Sequence, residues 1–188
     1  MKKTKMLLII GPTAVGKSSI LERALNDHPQ LVDIITYTTR PMRAGESEGH
    51  PYHFVSEADF RQRIEQKFFI EWALVHGRMY GTPRDQVTNA TAEGRGIIID
   101  IDVQGAKTML KEFPEAVTIF LMPPSMDALQ QRFIKRGVTN QADLDKRLES
   151  AKIEMAQAQH FKHVLVNDDF DKTYGEIRKI IENLLKNQ

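Results

Sequence analysis

Leu7-Leu8-Ile9-Ile10-Gly11-Pro12-Thr13-Ala14-Val15-Gly16-Lys17-Ser18-Ser19 decides the fold of this chain. Four apolar residues in succession read as a buried strand, and from Lys17 the apolar positions Ile20, Leu21, Ala24 and Leu25 line one helix face. The loop between them is a P-loop, sited where phosphate binds. Gly11 and Gly16 allow the backbone to wrap until its N–H groups converge on phosphate oxygens. The helix N-terminus adds a favourable dipole, Lys17 reaches the outer phosphates, and the Ser18 hydroxyl suits magnesium.

Working outward, Gly96 to Asp102 and Ala116 to Met122 are further near-continuous apolar runs, and Val164-Leu165-Val166 is a shorter one. Such runs suit strands covered on both faces of a parallel sheet. Helical patterns fall between them. Ser56 with Asp59 opens one, Leu129 and Phe133 mark another, Asn140 begins a longer one through Met155, and Tyr174, Ile177, Ile181 and Leu184 give the last an apolar face. This alternation predicts an α/β fold with a mainly parallel sheet flanked by helices. The segment 33–86 breaks the pattern. It is rich in Thr, Arg, Gly and aromatics, holds one clear helix, and reads as a small inserted subdomain.

A chain of 188 residues suits a single domain with one core. With 27% charged residues and a net charge of +1, disorder and a broadly basic nucleic-acid surface are not expected. The absence of cysteine excludes disulfides, thiolate metal sites and cysteine nucleophiles. Lys2, Lys3 and Lys5 before Met6 to Ile10 imitate a secretory signal, but the apolar run is too short, and no segment is long enough to cross a bilayer. The expectation is a soluble, cytoplasmic protein without membrane or nucleic-acid partners. Monomer and homo-oligomer both stay open. Met109, Met122, Met126 and Met155 read as core filling, Trp72 as packed within the subdomain, and the pairs His50/His53 and His160/His163 lack a further metal ligand.

The inserted segment carries the features that choose a substrate. Thr36-Tyr37-Thr38-Thr39-Arg40-Pro41-Met42-Arg43-Ala44-Gly45-Glu46 sets two arginines among hydroxyl residues, and Tyr52 follows. Guanidinium planes and a phenol make a good cradle for a second phosphate. Phe69-Ile70-Glu71-Trp72-Ala73 holds one acid in an apolar stretch, with Tyr80-Gly81-Thr82 close behind.

From the P-loop through T-T-R-P-x-R-x-G-E, F-I-E-W-A, Y-G-T, I-I-I-D-I-D-x-Q-G and V-N-D-D at Val166 to Asp169, the chain resembles guanylate kinases over nearly its whole length. The resemblance implies a P-loop kinase fold with an inserted GMP-binding subdomain (33–86) and a helical lid (125–148). It implies magnesium-dependent phosphorylation of GMP, and of dGMP, by ATP through direct in-line transfer. ATP would meet Gly11, Pro12, Thr13, Ala14, Val15, Gly16, Lys17, Ser18, Ser19 and Asn167. Thr36, Arg40, Arg43, Glu46, Tyr52 and Tyr80 would surround the GMP phosphate, and Glu71, Thr82 and Asp102 would face guanine. Ser18 and Asp100 would lie toward magnesium, and Lys17, Arg132, Arg136 and Arg147 would be catalytic.

Chemistry independently supports the base assignment. Guanine N1 and N2 are donors that suit a carboxylate such as Glu71, and O6 accepts from a hydroxyl such as Thr82; adenine reverses the pattern. Asp100 and Asp102, two apart at a strand end, project to one side, although either could simply cap the helix that follows. Arg132 and Arg136 share one helix face, where an ordinary solvated face is the competing reading. Phosphoryl transfer needs positioning and charge stabilisation rather than a general base, and the subdomain and lid should close to exclude water.

Ala14 stands where the family usually has glycine, Thr36 and Tyr37 where serine is common, and Met79 where an aromatic often occurs. The loop spelling also resembles tRNA dimethylallyltransferases, whereas the remainder does not. A guanylate-kinase-like protein-binding module is the rival from another class. Such modules typically lose the ATP loop, which is intact here.

Overall fold

In the computed structural model, which describes residues 4–75 and 77–186, β1 (Lys5–Ile10) is the centre of a five-stranded sheet. It pairs with β7 (Gly96–Asp100) on one side and β8 (Val117–Met122) on the other. β2 (Leu31–Asp33) and β9 (His163–Val166) form the edges, and every pairing is parallel. The apolar run of β1 is required by burial on both faces. Leu7 and Ile9 pack with Ile20 and Ala24 of α1 (Lys17–Asp27) and Ile177 and Ile181 of α7 (Phe170–Lys186). Leu8 and Ile10 pack with Val87 and Ala90 of α3 (Arg84–Glu93) and Ala106 and Met109 of α4 (Val103–Glu112).

β1 lies between β7 and β8, so its carboxyl end is a point where the sheet order diverges, the usual place for a ligand in an open α/β sheet. The P-loop leaves β1 there, and Asp100 ends β7 beside Ile9.

The inserted segment carries a second sheet of β3 (Tyr37–Thr38), β4 (His53–Phe54), β5 (Phe69–Val75) and β6 (Arg78–Pro83), in the order β4-β3-β6-β5. Its own small core joins Phe69 and Met79 to Phe60 of α2 (Glu57–Glu65), whose N-terminus Ser56 caps by accepting from Asp59 N–H. α5 (Met126–Lys135) and α6 (Gln141–Met155) make a third cluster around Leu129, Phe133, Leu144 and Ala151, into which Ala14 packs. Ser125 and Asn140 cap these helices. Among the described residues no helix is long and apolar enough to cross a membrane.

The structure departs from the sequence expectation at β2, Asp102 and Trp72, among other places. β2 is a fifth strand that the apolar pattern did not announce, because three residues are too few to express a period. The run Gly96 to Asp102 stops being strand at Asp100: Asp102 turns out to be the N-cap of α4, its Oδ1 accepting from Gln104 N–H at 2.7 Å and Gly105 N–H at 3.2 Å. Trp72 is 47% exposed, since strand alternation points it away from the buried side of β5 that carries Ala73 and Glu71. Lys2 and Lys3 lie outside the described residues.

Candidate active site

A cleft of about 580 Å³ opens between the carboxyl end of the parallel sheet, the second sheet and the two-helix arm. The P-loop forms one end. Gly11 has φ 142° and Gly16 φ 112°, conformations open to glycine and strained for other residues. A side chain at Gly11 would also collide with Leu121 O, and one at Gly16 would come within 2.5 Å of Asn167 Nδ2. Ala14 also has positive φ, 69°, which gives the physical reason why glycine suits this position.

Lys17 donates to Gly11 O at 2.6 Å and to Pro12 O at 3.3 Å, and its ammonium lies 3.7 Å from Asp100. Ser18 Oγ donates to Asp100 Oδ2 at 3.5 Å. Burial holds the Asp100 carboxyl above the usual carboxylate range, against the opposing pull of Lys17. Thr13, Ala14, Gly16, Lys17, Ser18 and Asp100 all line the cleft.

Two of the expected contact residues act on the loop from behind. Asn167 donates through Nδ2 to Val15 O at 2.8 Å, and Arg132 donates to Val15 O at 3.1 Å and to Asn167 O at 2.8 Å. Neither belongs to the cleft wall, nor do Pro12, Val15 and Ser19. Arg136 and Arg147 do reach it, with Arg147 tethered to Asp143 at 3.0 Å and set over the Phe133 ring. A side recess of about 320 Å³ continues from Thr13 and Arg43 toward Gly137 and Asn140.

The second sheet supplies the other end. Arg40 grips Glu46 with two parallel hydrogen bonds of 2.9 and 2.8 Å and donates to Pro41 O at 2.8 Å. Its guanidinium also stands over Tyr52 and Phe54. Glu46 accepts further from Arg43 N–H, and the Arg40 hydrogen bond holds its carboxyl below the ordinary range. Glu46 therefore orients Arg40. Tyr52 meets Tyr80 edge-on at 5.7 Å between ring centroids, and burial raises the Tyr52 phenol. Thr36 is buried and lines the same wall, its hydroxyl 3.5 Å from Ile34 O.

Deeper in the cleft, Thr82 donates to Glu71 Oε1 at 2.5 Å. The register between β5 and β6 shifts between Phe69 and Glu71, so Phe69 stacks on Phe60 while Glu71 lines the cleft. Burial, aided by nearby Asp102 and opposed by the hydrogen bond from Thr82, pushes the Glu71 carboxyl up to about 7. Asp102 faces the same space; the cap uses Oδ1 and leaves Oδ2 without a hydrogen bond to the described residues.

One acid of the wall escaped the sequence reading. Glu154, at the end of α6, lines the cleft near Lys17 and Asp102, and burial pushes its carboxyl up to about 7. Its sequence neighbourhood is an ordinary charged helix, so only the tertiary fold reveals it. Arg78, the first residue of β6, and Met42 also line the wall.

The guanylate kinase family model matches residues 3–184. Guanylate kinase of Bdellovibrio bacteriovorus is 44% identical over 183 residues, covering 97% of this chain and 99% of that protein. That of Corynebacterium jeikeium is 39% identical over 179 residues, covering 94% and 95%. A crystal structure of guanylate kinase from Anaplasma phagocytophilum superposes with a TM-score of 0.81 at 29% identity, covering all of this chain and 88% of that one. A phosphate loop, an arginine and tyrosine cradle and a buried acid in one cleft thus coincide with similarity along nearly the full length: the chain belongs to the guanylate kinase family of enzymes.

Proposed function

We propose that this chain transfers the γ-phosphoryl group of ATP to the phosphate of GMP, and of dGMP, by direct in-line displacement. The observation that carries the reading is the buried Glu71 and Thr82 pair sharing one cleft with the P-loop. Ionised Glu71 accepts from guanine N1 and N2, and Thr82 serves O6 once its hydroxyl turns from Glu71. Asp102 adds an acceptor through Oδ2. Adenine would leave these groups unpaired in a dry pocket, which is the basis of strong discrimination.

Arg40, Arg43, Tyr52, Tyr80 and Thr36 hold the acceptor phosphate, with Glu46 keeping Arg40 in place. Gly11 to Ser19 hold the donor, and Lys17 leaves its carbonyl partners for the outer phosphates. Ser18 and Asp100 fit a magnesium ion, because they offer hard oxygen donors beside a loop that would bring phosphate oxygens to complete the shell. When bound, the ion would neutralise phosphate charge. Arg136 and Arg147 stabilise the transferring group, while Arg132 and Asn167 brace the loop. dGMP presents the same base and phosphate to these groups and serves as an acceptor as well. The second sheet, within 33–86, and the lid, 125–148, which takes in α5 and the first half of α6, close over the two substrates.

The test is ADP formation from magnesium ATP with GMP, dGMP, AMP, CMP and UMP as acceptors, with Lys17→Ala alongside. Turnover with GMP and dGMP that disappears in Lys17→Ala supports the reading. No turnover with any acceptor would leave a phosphate-reading protein-binding module in its place.

A further inference from the structure

Gly105 lies in the first turn of α4, where nothing in the backbone asks for glycine. Its φ is not in the left-handed region, and a glycine inside a helix is less favourable than alanine. Space is what it provides. A β-carbon there would stand 2.6 Å from Glu71 Oε2 and 2.8 and 3.0 Å from Cγ1 and Cδ1 of Ile101. Gly175 in α7 is the internal contrast, because a side chain there would meet nothing.

The same turn organises both acids at the deep end of the cleft. Gly105 N–H and Gln104 N–H hold Asp102 Oδ1, and the bare Cα of Gly105 gives Glu71 Oε2 its resting place while Thr82 holds Oε1. Of the groups crowding position 105, the Glu71 carboxylate is the end of a flexible side chain. A methyl group would therefore displace Glu71 more readily than it would the helix.

We propose that Gly105 is a positioning residue for base selection, its missing side chain setting where the Glu71 carboxylate stands and hence which purine the cleft accepts. This rests on the reading of Glu71 as the guanine acceptor. Two hydrogen bonds to one base edge require a carboxylate held to a fraction of an ångström, and misplacement by about 1 Å costs up to about a hundredfold.

The experiment measures kcat and KM with GMP and with AMP, and KM for ATP, in the parent chain, Gly105→Ala, Gly175→Ala, Glu71→Asp and the double variant Gly105→Ala/Glu71→Asp. Gly105→Ala should raise KM for GMP by about tenfold or more and shrink the preference for GMP over AMP, while KM for ATP stays within about twofold. Gly175→Ala should keep the parent's constants. In Glu71→Asp the shorter side chain withdraws the carboxylate, so adding Gly105→Ala should cost little more. Unchanged GMP constants in Gly105→Ala, or independent losses that multiply in the double variant, would overturn the proposal. If Gly105→Ala fails to fold, folding restored by Glu71→Asp supports it, and failure of both variants assigns the space to Ile101 and overturns it. Lack of GMP selectivity in the parent chain would instead refute the underlying function.

Discussion

Thr82 donates its hydroxyl to Glu71 Oε1 at 2.5 Å in a pair of which only 1% and 4% of the residue surfaces are exposed. A carboxylate so enclosed, with Asp102 near it, is costly to ionise until a ligand brings donors. This cost ties base recognition to pH.

With the free-state Glu71 pushed up to about 7, KM for GMP should fall as pH rises from 6 to 8. Glu71→Gln should bind GMP more weakly and lose this part of the pH dependence; an unchanged profile would contradict the assignment. The sign for stability is opposite. A carboxyl with its folded pKa raised binds more protons folded than unfolded, so its contribution is present below about 4.5 and disappears as pH rises through about 7. Glu71→Gln should thus gain thermal stability relative to the parent as pH rises from 5 to 8, by at most about 3 kcal/mol.

Arg132 and Arg136 lie four residues apart but differ in attachment. Arg132 is bound to Val15 O and Asn167 O, whereas Arg136 lines the cleft. Arg132→Ala should lose about 1–3 kcal/mol of stability by removing the donor to Asn167 O and leaving Val15 O with only the Asn167 amide, and should raise KM for ATP. Arg136→Ala should keep stability within about 0.5 kcal/mol and lower kcat by about a hundredfold or more. Thermal melts and steady-state kinetics separate the two; identical profiles would refute the division of roles.

Glu46 acts through Arg40, which it holds with two hydrogen bonds. Glu46→Ala should raise KM for GMP about tenfold with a smaller change in kcat, because a loosened guanidinium loses its preset aim. A fall in kcat with KM unchanged would place Glu46 in the transfer step itself.

Ala14 has φ 69° and its methyl packs with the Leu129 and Phe133 cluster. A β-branched residue tolerates this conformation poorly. Ala14→Val should cost about 2 kcal/mol or more and weaken ATP binding, readable by melting and by ATP titration. Parent-like behaviour would mean that the loop relaxes without strain.

The parallel sheet was legible because burial on both faces forces runs such as Leu7 to Ile10 and Gly96 to Asp100, and the P-loop because its spacing follows phosphate geometry. The short strands β2, β3 and β4 were not, since two or three residues carry no period. Local spacing is silent where a side chain's partner is remote in sequence: Arg132 shares a face with Arg136 yet reaches across to Val15 and Asn167. Asp102 caps α4 through the nearby Gln104 and Gly105, the alternative that its spacing already carried. Glu154 and Gly105 gain their places only from tertiary packing, which brings α6 to the cleft wall and α4 against β5.

The most direct measurement of the central claim is kcat/KM for GMP and for AMP with saturating magnesium ATP, in the parent chain and in Glu71→Ala. The account predicts a large preference for GMP in the parent that falls by about a hundredfold or more in the variant. Equal use of the two purines by the parent, or a preference untouched by loss of Glu71, would contradict it.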